Sequence, residues 1–176
     1  MDKSKKPSFW AGRPKWVKKF FRLCMRLAFI LTVIWALFTF VGDVYIHHDN
    51  NMYPHIKDGD LAVTYKLNGY IKGQVALYEY DGKRQLGRVI AGPGDVIEMD
   101  DTSGSYLVNG LIPYENVFYN TFPAEGGVTY PYEVPEGEYF VLNDMREMMT
   151  DSRAFGAIPE EDMYGMVVFT LCHRGF

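Results

Sequence analysis

Residues 74–95 read QVALYEYDGKRQLGRVIAGPGD, and this stretch decides the fold class. Residues 74–80 are a short run rich in β-branched, aromatic and aliphatic side chains, the composition of a strand. Asp81-Gly82 follows, a dipeptide that accepts the left-handed backbone of a two-residue hairpin. Residues 84–91 then read as the returning strand. Pro93-Gly94 turns the chain again before a further strand at 95–99. Outward in both directions the grammar repeats. LAVTYKL (61–67) is a strand closed by the turn Asn68-Gly69. SYLVNGLIP (105–113) carries a second hairpin signal at Asn109-Gly110, and 138–144 and 165–171 complete the set. Residues 114–135, rich in Pro, Gly and aromatics, read as an ordered but irregular excursion. The pattern predicts a mainly β protein, one antiparallel sheet or barrel-like domain over 47–176.

The N-terminal part obeys different rules. Net charge is −4 over 176 residues, but residues 1–26 hold nine Lys/Arg against Asp2 alone, leaving nine basic and 21 acidic residues beyond. A basic tail suits a lipid surface or a nucleic acid. The run LAFILTVIWALFTFV (27–41) selects the lipid. With Val44-Tyr45-Ile46 as an interfacial end, 27–46 reaches the ~20 residues of a membrane span. A cleaved signal peptide is the competitor, but no small-x-small cleavage site follows. The expectation is a basic cytoplasmic tail (1–26), a single transmembrane anchor (27–46) and an extracytoplasmic domain at the cell membrane.

Cys24 and Cys172 would lie on opposite sides of a bilayer and read as lone thiols. The four histidines are scattered, and adjacent His47 and His48 would face opposite ways on a strand. No Cys/His cluster has ligand spacing, so neither a metal nor another cofactor is expected.

Three ordered segments carry a family resemblance. The first is Asn51-Met52-Tyr53-Pro54 followed by Gly59-Asp60. The second is Gly87-Arg88-Val89-Ile90-Ala91-Gly92-Pro93-Gly94-Asp95. The third is Asn143-Asp144-Met145-Arg146 followed by Asp151-Ser152-Arg153-Ala154-Phe155-Gly156. Together with the anchor they resemble the type I signal peptidases, the S26 family. That resemblance implies antiparallel sheets near the outer membrane surface and a Ser/Lys dyad that cuts exported precursors. A serine hydroxyl needs a base to take its proton, and a buried lysine can be that base.

At the matching positions the chemistry is missing. The nucleophile position holds Asn51 and the base position holds Gly87. The serine that orients the lysine aligns with Met149, a weak acceptor. Asp49 replaces an oxyanion donor of some members, and a carboxylate there repels a developing oxyanion. Lys83 shares a strand face with Gly87 but lies ~13 Å along it, too far to substitute. Asp49 as a carboxylate nucleophile is the alternative within an active site of another kind.

Four concordant losses lead to the expectation of a protein that is not an enzyme. Its wider pocket at Gly87 would hold a peptide segment beside a sheet edge. The chain resembles the signal peptidase-like accessory proteins encoded with sortase-assembled pili in Gram-positive bacteria. This implies a chaperone or scaffold role toward pilin subunits or a sortase. The alternative is an active, divergent signal peptidase. Met52, Pro54, Gly59, Asp60, Arg88, Pro93, Gly94 and Asp95 are expected to frame the cleft. Asp144, Arg146, Asp151, Ser152 and Arg153 are expected to brace it as a buried polar network. Tyr53, Phe118, Tyr119, Phe122, Tyr130 and Tyr132 fit an aromatic rim or ordinary loop packing.

Overall fold

The computed structural model describes residues 14–66, 69–115, 117 and 119–172, with the side chains of 37–41 left undescribed. Two compact units divide the chain at residues 39 and 40.

The first unit is dominated by helix α1, Lys15–Val41. Its first half carries Lys15, Lys18, Lys19, Arg22 and Arg26, and apolar side chains such as Trp16, Phe20, Phe29 and Trp35 are exposed. Among the described residues, no helix is long and apolar enough to cross a membrane, so the transmembrane anchor expected over 27–46 is not reproduced. Val44-Tyr45-Ile46, expected as its interfacial end, instead form strand β1, Val44–Ile46. The change from helix to strand occurs at Gly42. A Cβ there would lie 1.7 Å from the Thr64 carbonyl oxygen, so only glycine permits the approach.

The second unit is the β domain. Its further elements are β2 (Leu61–Tyr65), β3 (Val75–Tyr80), β4 (Lys83–Ala91), β5 (Val96–Met99) and β6 (Tyr106–Val108). They are followed by β7 (Tyr132–Glu133), β8 (Glu138–Leu142), the short helix α2 (Ser152–Phe155), β9 (Ile158–Pro159) and β10 (Met163–Leu171). Seven strands form one sheet in the order β1-β2-β10-β3-β4-β8-β9, and β6-β5-β7 form a second. Every pairing between these strands is antiparallel.

The hairpin of β3 and β4 is the one the sequence announces. Asp81 and Gly82 both have positive φ, 50° and 69°, as a two-residue hairpin turn of this kind requires. This turn sets Leu77 opposite Leu86 and Ala76 opposite Gly87. Alternation then serves two layers. Leu77 and Leu86 pack with Met52, Ile56 and Ala62, while Ala76, Tyr78 and Val89 pack with Val141, Tyr139 and Ile158. Both faces of the β3-β4 centre are therefore covered, and the loop before β2 forms one of the covers. The second hairpin signal also turns the chain, with positive φ at Asn109 and Gly110, but only the bridge between Val108 and Leu111 follows it.

Candidate functional site

The three motifs converge around the middle of β4. The loop between β1 and β2 brings Asn51 there, β4 contributes Gly87 and Arg88, and the segment after β8 contributes residues 143–153. Asn51 is 1% exposed. Its Nδ2 donates to the Leu86 carbonyl at 2.9 Å and to Asn143 Oδ1 at 2.9 Å. The β4-β8 pairing ends at Arg88 opposite Leu142, so the Leu86 carbonyl lies past the partner strand and the Asn51 amide takes it. The Met145 N–H donates to the Asn51 carbonyl at 2.8 Å, closing the third motif onto the first. Asn51 thus ties the fold together and presents little surface. Asn143, which sequence reading did not single out, completes the amide pair and donates onward to Met148 O and Thr150 Oγ1.

Gly87 does not leave an enlarged pocket, which corrects the expectation. A Cβ at this position would lie 2.8 Å from Tyr78 Cε1 and 3.3 Å from Val141 Cβ. The Tyr78 ring, fully buried, fills the space a side chain would use. Burial raises the Tyr78 hydroxyl pKa well above its ordinary value, and the nearby charge of Asp151 adds to the effect. Tyr78 remains a neutral phenol at any physiological pH.

A third cluster lies beside these positions. Asp144, fully buried, accepts from Arg88 Nε at 2.7 Å and Arg88 Nη2 at 2.5 Å, while Arg88 Nη1 donates to the Gly73 carbonyl at 2.6 Å. His55 Nδ1 meets Asp144 Oδ2 at 2.9 Å, and the His55 side chain is 38% exposed. Burial pulls the Arg88 guanidinium down, but the hydrogen bond to Asp144 and its charge outweigh this and raise it above its ordinary value. His55 follows Pro54 directly, yet nothing in its own segment marks it. Only its meeting with Asp144, 89 positions away, makes it a site residue.

Residues 17–172 match the family described as signal peptidase, peptidase S26. The chain belongs to that family. It is 30% identical over 174 residues to signal peptidase IB of Staphylococcus aureus strain COL, covering 86% of this chain and 89% of that one. Signal peptidase I of Bacillus licheniformis is 30% identical over 158 residues, with 81% and 84% covered. A crystal structure of a signal peptidase I from Enterococcus faecalis V583 aligns with a TM-score of 0.47 and 25% identity, covering 58% of this chain and 99% of that chain.

These relatives overturn one expectation. The losses at Asn51, Gly87, Met149 and Asp49 suggested a protein that is not an enzyme, whereas its near-full-length relatives carry the names of signal peptidases, an enzyme family. The losses concern one dyad; the signal peptidase frame around it carries other ionisable groups. Of the remaining family positions, Asp49 is exposed, and its Oδ1 accepts from the Asn50 N–H at 2.6 Å. Met149 is part-exposed and lines an open groove of about 550 Å³ with Tyr119, Asn120, Phe122, Arg146 and Glu147.

The charged residues of the third motif are buried, but they form separate pairs. Arg146 reaches Glu115 and Thr121 and so pins the irregular excursion. Arg153 forks onto both oxygens of Asp151 at 2.9 and 2.8 Å and also holds the Phe122 and Met148 carbonyls. Asp151 caps α2 and accepts from the Asn143 N–H, while Ser152 Oγ accepts from the Val141 N–H. Asp95 lies farther off, bound by Lys72, the Gly92 N–H and Asn109. Burial pushes the Asp95 carboxyl up, but those three donors and the Lys72 charge win and hold it below the usual range. Gly59 and Gly94 turn with φ of 83° and 76°, and Met52 is wholly core. Phe118 lies outside the described residues. Among those described, no group of acidic, His and Cys side chains could hold a metal ion.

Proposed function

We propose that this chain is a divergent signal peptidase that engages extended segments of exported precursors in the cleft bordered by the loop 49–56 and residues 143–149, and cleaves them. The observation that carries the reading is the family match over residues 17–172, reinforced by curated signal peptidases at 30% identity along most of both chains. The geometry adds exposed side chains at Tyr53, His55 and Met149, in the segments that carry the buried Asn51 and Asp144. Its compartment is the outer face of the cell membrane, with the basic tail inside. Support comes from the apolar side chains exposed along α1 and from Val44, Ile46, Phe169 and Leu171, exposed on strands that pair with β2 at adjoining positions.

A second reading is a holding role toward pilin subunits or a sortase in surface pilus assembly. It is favoured by Asn51, whose amide serves the fold, and by Gly87, whose space Tyr78 occupies. One experiment separates the two. Full-length protein in detergent is incubated with peptides spanning the cleavage region of exported precursors, and both binding and products are measured. Time-dependent cleavage at one bond is the expected result. Saturable binding of pilin segments without any product supports the second reading; neither binding nor product overturns both.

A further inference from the structure

We propose that His55, oriented by Asp144, is the proton acceptor of this cleft and activates a water molecule for peptide hydrolysis; the inference rests on the peptidase reading above. Three motifs supply one residue each to a single chain of contacts: His55 from the first, Arg88 from the second and Asp144 from the third. Asp144 lies between a guanidinium and an imidazole with no solvent exposure of its side chain. Facing two Arg88 N–H groups, its carboxylate acts as an acceptor. The 2.9 Å contact therefore requires that Nδ1 of His55 carry the hydrogen. In the neutral ring the lone pair then belongs to Nε2. Among the described residues nothing takes Nε2, and the side chain is 38% exposed. This is an imidazole with its tautomer set by a buried carboxylate and its basic nitrogen left to solvent. The arrangement adjoins both altered dyad positions. Asp144 precedes Met145, whose N–H holds the Asn51 carbonyl, and Arg88 follows Gly87.

The reaction balances without a further reagent. A water oxygen forms the bond to the peptide carbonyl carbon as Nε2 accepts its proton. The C–N bond then breaks, and the proton passes from His55 to the leaving amine. The products are a carboxylic acid and an amine, and the neutral ring is regenerated. Asp144 touches neither water nor substrate and is a positioning residue; Arg88 fixes Asp144 in turn.

A purely structural role for His55 is the competing explanation, and H55Q distinguishes the two. A glutamine side chain can still offer an N–H toward Asp144 but cannot take a proton. The test uses full-length protein in detergent with a precursor peptide. His55→Gln is expected to lower kcat by about 100-fold or more with KM changed less than about threefold and an unchanged far-ultraviolet spectrum. His55→Ala should recover part of the rate when free imidazole is added. Asp144→Asn should lower kcat similarly and shift the His55 ring ¹⁵N signals from one dominant tautomer to a mixture. Unchanged turnover in His55→Gln overturns the inference while the peptidase reading stands. Absence of product from the wild-type protein overturns that reading and the inference with it.

Discussion

Two clusters lie side by side around the middle of β4, and they have opposite characters. Asn51, Asn143, Gly87 and Tyr78 form a buried centre in which the Asn51 amide N–H groups bind the Leu86 carbonyl and Asn143 Oδ1, and an aromatic ring fills the space beside Gly87. His55, Asp144 and Arg88 form a rim in which a buried carboxylate holds an exposed base. The centre holds Asn51 and Gly87, the two positions that the resemblance matches to the family's dyad. The rim sits one to four residues away in each motif. Substituting a nucleophile and base therefore need not empty a site of ionisable chemistry, because neighbouring residues share the same scaffold. Close packing belongs to the centre, and charged and imidazole side chains to the rim.

Mutations test this division, the largest effects falling on the centre and its braces. Arg153→Met should cost about 3–5 kcal/mol in denaturant unfolding, since it leaves the fully buried Asp151 carboxylate without its counter-charge. A loss below about 1 kcal/mol would show that the brace is dispensable. Gly87→Lys should cost about 3 kcal/mol, because its side chain collides with Tyr78 and Val141 before it can reach any partner. Adding Tyr78→Ala should recover part of that loss. Asn51→Ser with Gly87→Lys should not reach family-level turnover, because Tyr78 still blocks the base and Met149 offers it no hydroxyl. Near-family turnover from that double variant would show the centre to be more adaptable than its packing indicates. Asn51→Ala should cost about 1–3 kcal/mol by stranding the Leu86 carbonyl and Asn143 Oδ1.

His47 and His55 sharpen the comparison further. His47 is 1% exposed, and both its ring nitrogens are unpartnered. Burial lowers its pKa from 6.5, outweighing the opposing carboxylates of Asp49, Asp58 and Asp60; the neighbouring His48 lowers it slightly more. Above about pH 6.5 the ring is neutral in folded and unfolded chains alike, and no stability is lost. As pH falls below that value the unfolded chain takes up the proton first, so stability declines. Thermal melts from pH 7.5 to 5 should therefore fall more steeply for wild type than for His47→Leu; equal slopes would refute the assignment. His55→Gln, at the exposed rim, should shift stability by less than about 1 kcal/mol. A larger loss would move His55 from the rim into the structural centre.

Much of this was legible in the chain. The Asp81-Gly82 turn set the β3-β4 register, and the resemblance of the three motifs to one family pointed to a common site. Two things were not legible. Gly87 alone suggests a void, since a missing side chain says nothing about which neighbour fills its place; Tyr78 lies across the hairpin and shares the face only once the register is formed. Nor did the run 27–41 show by itself where the helix would stop. Gly42 ends it through a contact with Thr64, 22 residues later in the chain.

By itself, then, the sequence determined the antiparallel β architecture and the separate basic and apolar N-terminal part. Those properties follow from periodicity, turn chemistry and residue identity, all of which are local; the positions expected to differ from the signal peptidase dyad came from the family resemblance. The tertiary structure decided what stands in place of the dyad. It buried Asn51 against Leu86 and Asn143, closed Gly87 with Tyr78, and brought His55 to Asp144. Each is a contact between segments tens of residues apart or across a hairpin, and only packing around one buried carboxylate and one crowded strand selects it.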